Sequence, residues 1–244
     1  MKGSSASSKK PVICVMSQPS NPYAVQWRMV KEIALRRERA EGLFGIDYLF
    51  RLFLCFGLMF MPAMFVRLIS GCFGYLSRKI SIEAFAIGKP FFLGLILLNG
   101  LFLDRACLFI TGVLFVNLYL YLLGLVFLKR FYTQPVSHSR SMLLLIINFV
   151  EMTIAFAIFY GYSKSIYSSS VVINDPLSLL YFSFVTAATV GYGDMAPATD
   201  VGKMLVVFQI LSSLGFISLF LATFVTNLNE NERGAIRGIR SAIL

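Results

Sequence analysis

Charge is scarce in this chain. Only 14% of its 244 residues are charged, whereas 57% are hydrophobic and mean hydropathy is +0.76. Soluble domains carry charge on about a quarter of their residues, so this composition argues against a soluble globular protein and for an integral membrane protein. Histidine occurs once, and the four cysteines, Cys14, Cys55, Cys72 and Cys107, are scattered without paired spacing. Those two shortages argue against a metal site and against a disulfide framework, and no cofactor is expected. Acidic residues are few as well, 12 against 22 basic, for a formal net charge of +10. In a soluble protein that excess would suggest nucleic acid as a partner. Here Lys and Arg gather in the polar flanks of apolar runs, as the positive-inside rule expects beside a lipid bilayer, so no nucleic-acid partner is expected.

What the chain has in quantity is long apolar runs. Residues 1–22 read as a flexible tail without a signal-peptide core. From Tyr23 to Glu41, Arg28, Lys31, Arg36, Arg37 and Arg39 alternate with Trp27, Val30, Ile33 and Leu35. This is the pattern of a basic amphipathic helix, either lying on an anionic membrane face or packed on neighbouring protein. At about twenty apolar residues per span, segments 43–76, 84–103, 106–128, 142–162 and 202–228 qualify as candidates to enter the membrane. The first is interrupted by Asp47, Arg51, Pro62 and Arg67. Only Asp104-Arg105 separates the second from the third, which predicts a tight antiparallel hairpin. No internal repeat is evident.

Between the last two runs lies Thr186-Ala187-Ala188-Thr189-Val190-Gly191-Tyr192-Gly193-Asp194. A dehydrated cation needs a cage of oxygens in place of its hydration shell, and backbone carbonyls are the densest supply. Carbonyls of consecutive residues normally alternate in direction. Aiming them all down one axis requires residues that tolerate positive φ, which Gly191 and Gly193 do. Thr189 can add a hydroxyl at the inner end, Val190 and Tyr192 would point away from the axis, and Asp194 would sit at the outer mouth. Ahead of this stretch, Asp175-Pro176 is a helix start, with Asp at the cap and Pro at the first helical position. Residues 176–188 would form a half-membrane helix whose C-terminal dipole end favours a cation.

Tyr181-Phe182-Ser183-Phe184-Val185-Thr186, then Thr189 to Asp194, then Pro197, resemble the pore helix, selectivity filter and outer turn of the potassium channel superfamily, in its bacterial and voltage-gated-type branch. The resemblance covers residues 142–228, and upstream it is architectural only. It implies an all-α membrane protein. The fold would be a tetrameric channel with an outer helix (142–162), a re-entrant pore helix (176–188), a filter (189–194) and an inner helix (202–228), preceded by about three apolar helices in 43–130. Residues 1–42 and 229–244 would be cytoplasmic. The implied activity is passive, non-enzymatic K+ permeation through a homotetramer in the plasma (inner) membrane. K+ would be held at Thr189, Val190, Gly191 and Tyr192, with Gly193 completing the filter. A non-conducting assembly subunit and a potassium transporter are the alternatives. Val185 stands where some two-helix channels carry a Glu, so an aromatic cuff of Tyr181, Phe184 and Tyr192 is expected behind the filter instead.

Gly215 resembles the family's hinge glycine but lies about two residues later; close helix packing is the other reading. Ser212, Ser213 and Thr223 are expected to line the cavity. No run has Arg or Lys at every third position, the pattern a voltage-sensing helix needs. The short segment 229–244 is too small for a nucleotide- or calcium-sensing domain. The gating partner is therefore not specified by the sequence.

Orientation follows from the filter. If 142–162 crosses outward, Lys129, Arg130, Arg140, Arg78 and Lys79 lie inside, as the positive-inside rule requires. One further crossing by 43–76 would put the basic amino-terminal region outside, so a kinked, re-entrant or hairpin arrangement there and a cytoplasmic amino terminus are favoured. Glu151, in the middle of a span, is costly in lipid without a partner. Lys89, Asn99 and Asn117 are candidate partners, in either a proton-sensitive contact or a purely structural one.

Overall fold

A computed structural model describes residues 22–39, 46–71, 75–128, 138–168 and 171–243. The expected amino-terminal tail, Cys14, Cys72 and the Lys129-Arg130 pair lie outside the described residues. Eight α-helices are present among those described: α1 (Pro22–Arg39), α2 (Ile46–Met59), α3 (Pro62–Gly71), α4 (Tyr75–Leu98), α5 (Arg105–Phe127), α6 (His138–Ser163), α7 (Pro176–Ala187) and α8 (Asp200–Ile243). Four are long and apolar enough to cross a membrane, over Ile80–Leu98, Arg105–Phe127, Arg140–Ser163 and Asp200–Val225. The chain is an all-α multi-pass membrane protein.

Two features are not legible in the sequence. The stretch after Ser163 is not a plain loop, because it forms β1 (Ile166–Ser168) and β2 (Val171–Val172), which with β3 (Ala196–Pro197) make a small antiparallel sheet in the order β2-β1-β3. Tyr167 is opposite Val172 on one side and Ala196 on the other. Its serines suggested a loop, but β-branched Ile166, Val171 and Val172 favour pleated backbone. Second, the polar run Asn227 to Glu232 ends the apolar stretch without ending the helix, since α8 continues to Ile243. Glu, Asn and Arg lower hydropathy but do not break a helix as Pro would. The side chains of this run and of Arg233, Arg237 and Arg240 lie outside the described residues.

α6 is the central element, packed against α4, α5, α7 and α8. α4 and α6 run in the same direction: Glu83 meets Arg140 near the start of both, and Lys89 meets Glu151 further along. α5, between them in sequence, returns in the opposite direction. The short 3-10 turn Leu101–Leu103 closes the connection and drives Phe102 into the core. The α4–α5 pair is antiparallel as expected, yet α4 packs far more on α6 than on α5. Gly161 makes this fit possible. A Cβ there would lie 2.8 Å from both Phe102 and Leu179, closer than atoms can pack, so only glycine fits between the turn and α7.

The interrupted first segment is the bent pair α2–α3, turning by 57° across Phe60-Met61 ahead of Pro62. Pro lacks the N–H that would continue the helix ladder, which explains the break. α2 starts beside the end of α5, with the Phe50 and Phe127 rings 4.9 Å apart. Further on, Gly57 lies against Leu120. α3 then brings Arg67 to a cavity shared with Tyr121 and Arg140. The beginning of α2 and the body of α3 therefore both lie where α5 ends and α6 begins. α1 buries Gln26, Val30 and Ile33 against α2, Gln26 donating to the Cys55 carbonyl at 3.3 Å, while Trp27, Arg28 and Lys31 stay exposed. Packing on neighbouring protein thus accounts for one face of this helix.

Candidate functional site: a short capped helix and the residues that follow it

α7 begins on a complete cap. The Asp175 carboxylate accepts from the backbone N–H and the hydroxyl of Ser178, each at 2.9 Å, and Pro176 occupies the first turn. Those bonds favour the ionised carboxyl and hold Asp175 below its usual carboxylate pKa. At the other end, the N–H groups of Ala188, Thr189 and Val190 donate to the carbonyls of Phe184, Thr186 and Val185. The helix end thus leads without slack into the extended residues that follow.

In those residues φ is positive at Thr189 (56°), Gly191 (59°) and Gly193 (82°), and not at Val190 or Tyr192. The positive values thus fall on every second residue of this stretch. A Cβ at Gly191 or Gly193 would meet nothing within 4 Å, so backbone conformation and not space demands glycine there. Positive φ at Thr189, a β-branched residue, is strained and was not anticipated from the sequence. Tyr192 stacks on Tyr181 of α7 with rings 6.4 Å apart and nearly parallel, and the Tyr181 hydroxyl faces the Asp194 carboxylate. This supplies two members of the expected aromatic cuff. Phe184 shows no ring contact with them among the described residues.

Residues 148–230 match the family model described as ion channel. Over this part the chain is similar to proteins named as potassium channels. It is 32% identical over 101 residues to two-pore potassium channel 5 of Arabidopsis thaliana, covering 40% of this chain and 24% of that protein. Over 62 residues it is 34% identical to a hyperpolarization-activated voltage-gated potassium channel of Methanocaldococcus jannaschii, covering 25% of this chain and 26% of that one. A voltage-gated potassium channel of Aeropyrum pernix is 32% identical over 79 residues, 32% of this chain and 26% of the relative. The chain spans about a quarter of the length of these relatives. No solved structure matches it.

Where α6, α7 and α8 meet, the matched region is held by a buried polar network. Tyr160 on α6 donates to Gln209 Oε1 at 2.7 Å. Gln209 Nε2 on α8 in turn donates to the carbonyl and hydroxyl oxygens of Ser183 on α7, each at 2.8 Å. The Ser183 hydroxyl donates to the Thr153 carbonyl on α6 at 2.7 Å. All four residues are fully buried. Every bond joins two different helices, so the network fixes α7 against both of its neighbours. The sequence offered one signal for it, a Gln in the middle of an apolar run, where an amide must find partners.

The expected cavity lining also needs correction. Ser212 and Ser213 are buried, and each hydroxyl bonds the carbonyl four residues earlier, Phe208 and Gln209 respectively. Being small, they let α8 pack closely on its neighbours. The small residues on the exposed face of α8 are Gly215, Ser218 and Ala222, with Thr223 partly exposed. Gly215 sits in an unbroken helix, and a Cβ there would meet nothing within 4 Å. Of the three candidate partners of Glu151, Lys89 is the one in contact, at 2.7 Å, with both side chains buried. Asn99 instead bonds the Leu95 carbonyl, and the Asn117 Oδ1 atom is buried without a partner.

Proposed function

We propose that the chain is a subunit of a potassium-selective channel that conducts K+ passively down its electrochemical gradient. The observation that carries this reading is the alternation of positive φ at Thr189, Gly191 and Gly193. Backbone that alternates in this way suits a strand whose carbonyls, here those of Thr189, Val190, Gly191 and Tyr192, face one ion path, with the Thr189 hydroxyl at the inner end. One chain supplies one such strand, and an oxygen cage around an ion needs several, so the pore is a homotetramer with the exposed faces of α7 and α8 turned inward. The C-terminal end of α7 points its dipole at the ion beneath the filter. Asp194 forms the outer mouth, Gly215 is the point at which the inner helix can bend, and the plasma (inner) membrane is the site of action. The relatives named potassium channels support the ion assignment.

The α2–α3 pair enters and leaves on the side where α5 ends, which keeps the basic amino-terminal region cytoplasmic and obeys the positive-inside rule. The Lys89–Glu151 pair couples the upstream helices to the outer helix of the pore. Protonation of Glu151 would leave Lys89 facing a neutral acid and loosen that coupling, which makes the pair a proton-sensitive contact. Replacing Glu151 with Gln should flatten the dependence of conductance on pH, and an unchanged response refutes that role.

Reconstitution in liposomes tests the main reading. Potassium flux at least tenfold above sodium flux is expected. Equal fluxes defeat it, and a stable tetramer without flux assigns the chain to the class of non-conducting assembly subunits.

A further inference from the structure

A cavity of about 90 Å³ lies between α3, α4, α5 and α6, away from the filter. Its polar lining consists of Arg67, Glu83, Lys89, Asn117, Tyr121, Arg140 and Asn148. The pairing of these groups is uneven. Glu83 engages Arg140 and Glu151 engages Lys89, each at 2.7 Å, which leaves Arg67 with no carboxylate among the described residues. Both guanidinium groups, of Arg67 and Arg140, lie close enough to the Tyr121 hydroxyl to act on it electrostatically. Arg140 Nε is buried and donates to nothing among the described residues. An arginine held among apolar helices without a counter-charge is costly, and unused donors around one space call for an acceptor in it.

We infer that this cavity binds the phosphoryl headgroup of an anionic lipid, with Arg67 as the principal charge partner and Arg140 Nε and Tyr121 as hydrogen-bond donors. The excess cation selects an anion over water alone, and guanidinium groups match phosphate oxygens in geometry. The cavity exceeds the room one water needs. Membrane lipid is the source because the remaining wall is apolar, with Val66, Phe85 and Leu144, and because the opening lies near the first turns of α6, where Arg140 is 34% exposed. In sequence, Arg78-Lys79 and Lys129-Arg130 flank the same end of these helices, as expected beside an anionic leaflet. The site does not depend on ion conduction, so its test can fail while the conduction reading stands, and the reverse.

The full-length chain in detergent micelles, examined by native mass spectrometry with added phosphatidic acid or phosphatidylcholine, reads this directly. Phosphatidic acid should be retained in preference to phosphatidylcholine. Arg67→Gln should lower its retention about fivefold, the weight of one basic residue at a membrane surface, while Arg67→Lys keeps most of it. If Arg67→Gln loses its native melting temperature, Tyr121→Phe carries the same comparison with a smaller loss. Equal retention of the two lipids, or unchanged retention in a folded Arg67→Gln, overturns the proposal. Inorganic phosphate should not displace the lipid; displacement overturns the assignment to a lipid headgroup in favour of a soluble anion.

Discussion

The two halves of the molecule treat buried polarity differently. In the ion channel domain, Tyr160, Gln209, Ser183 and Thr153 close a network in which each donor has an acceptor on another helix. Around the upstream helices, Asn117 Oδ1, Arg140 Nε and Glu151 Oε1 are buried without partners among the described residues, and two ion pairs, Lys89–Glu151 and Glu83–Arg140, join α4 to α6 beside their apolar packing. A satisfied network in a low-dielectric interior is rigid and specifies one arrangement, whereas an unsatisfied one is costly until something fills it. The contrast separates a part whose polar groups are paired across helices from a part that leaves several of them open.

The largest test strikes the rigid half. Gly191→Ala and Gly193→Ala force a side chain onto left-handed backbone, at about 1–2 kcal/mol each. They should abolish the preference for K+ over Na+ in liposome flux while leaving assembly intact. Next comes the seam between the halves. Glu151→Ala strands Lys89 as a buried charge and should destabilise the protein by about 3–5 kcal/mol, whereas replacing both partners by Met should be close to neutral. Thermal unfolding in detergent separates the two, and equal losses would mean that the pair is solvated and not a true coupling. Gln209→Leu leaves the Tyr160 hydroxyl and Ser183 without their partner. At about 1–3 kcal/mol per stranded group, it should both lower stability and degrade selectivity, as no upstream substitution does. Gly161→Ala overpacks the contact with Phe102 and Leu179 and should cost about 1–3 kcal/mol in the same assay.

The smallest effect is at the Asp175 cap. Its pKa is lower in the folded chain than in the unfolded one. Its contribution is therefore complete above the ordinary aspartate pKa and is lost as pH falls through the lowered folded value. Asp175→Asn should remove that acid dependence, measured as melting temperature against pH.

Much of this was legible in the residues. The apolar runs marked the spanning helices because a bilayer demands about twenty apolar residues per crossing, and Asp175-Pro176 marked the start of α7 because cap chemistry is local. Gly191 and Gly193 announced positive φ. Other features were hidden because they depend on partners distant in sequence. Ser212 and Ser213 look like pore-lining polar residues until the helix is rotated into place and both turn out to be buried. The sheet was hidden because β1 pairs with β3 across the whole of α7.

By itself, then, the sequence determined the membrane class, the long apolar spans, the capped start of α7 and the positive φ at Gly191 and Gly193, since each depends on local composition and backbone preference. The tertiary structure alone decided that Lys89, and not Asn99 or Asn117, answers Glu151, that Gln209 clamps α7, and that Arg67 lines a cavity without a paired carboxylate among the described residues. Such pairings are set by the rotation of one helix against another, and hydropathy carries no record of that rotation.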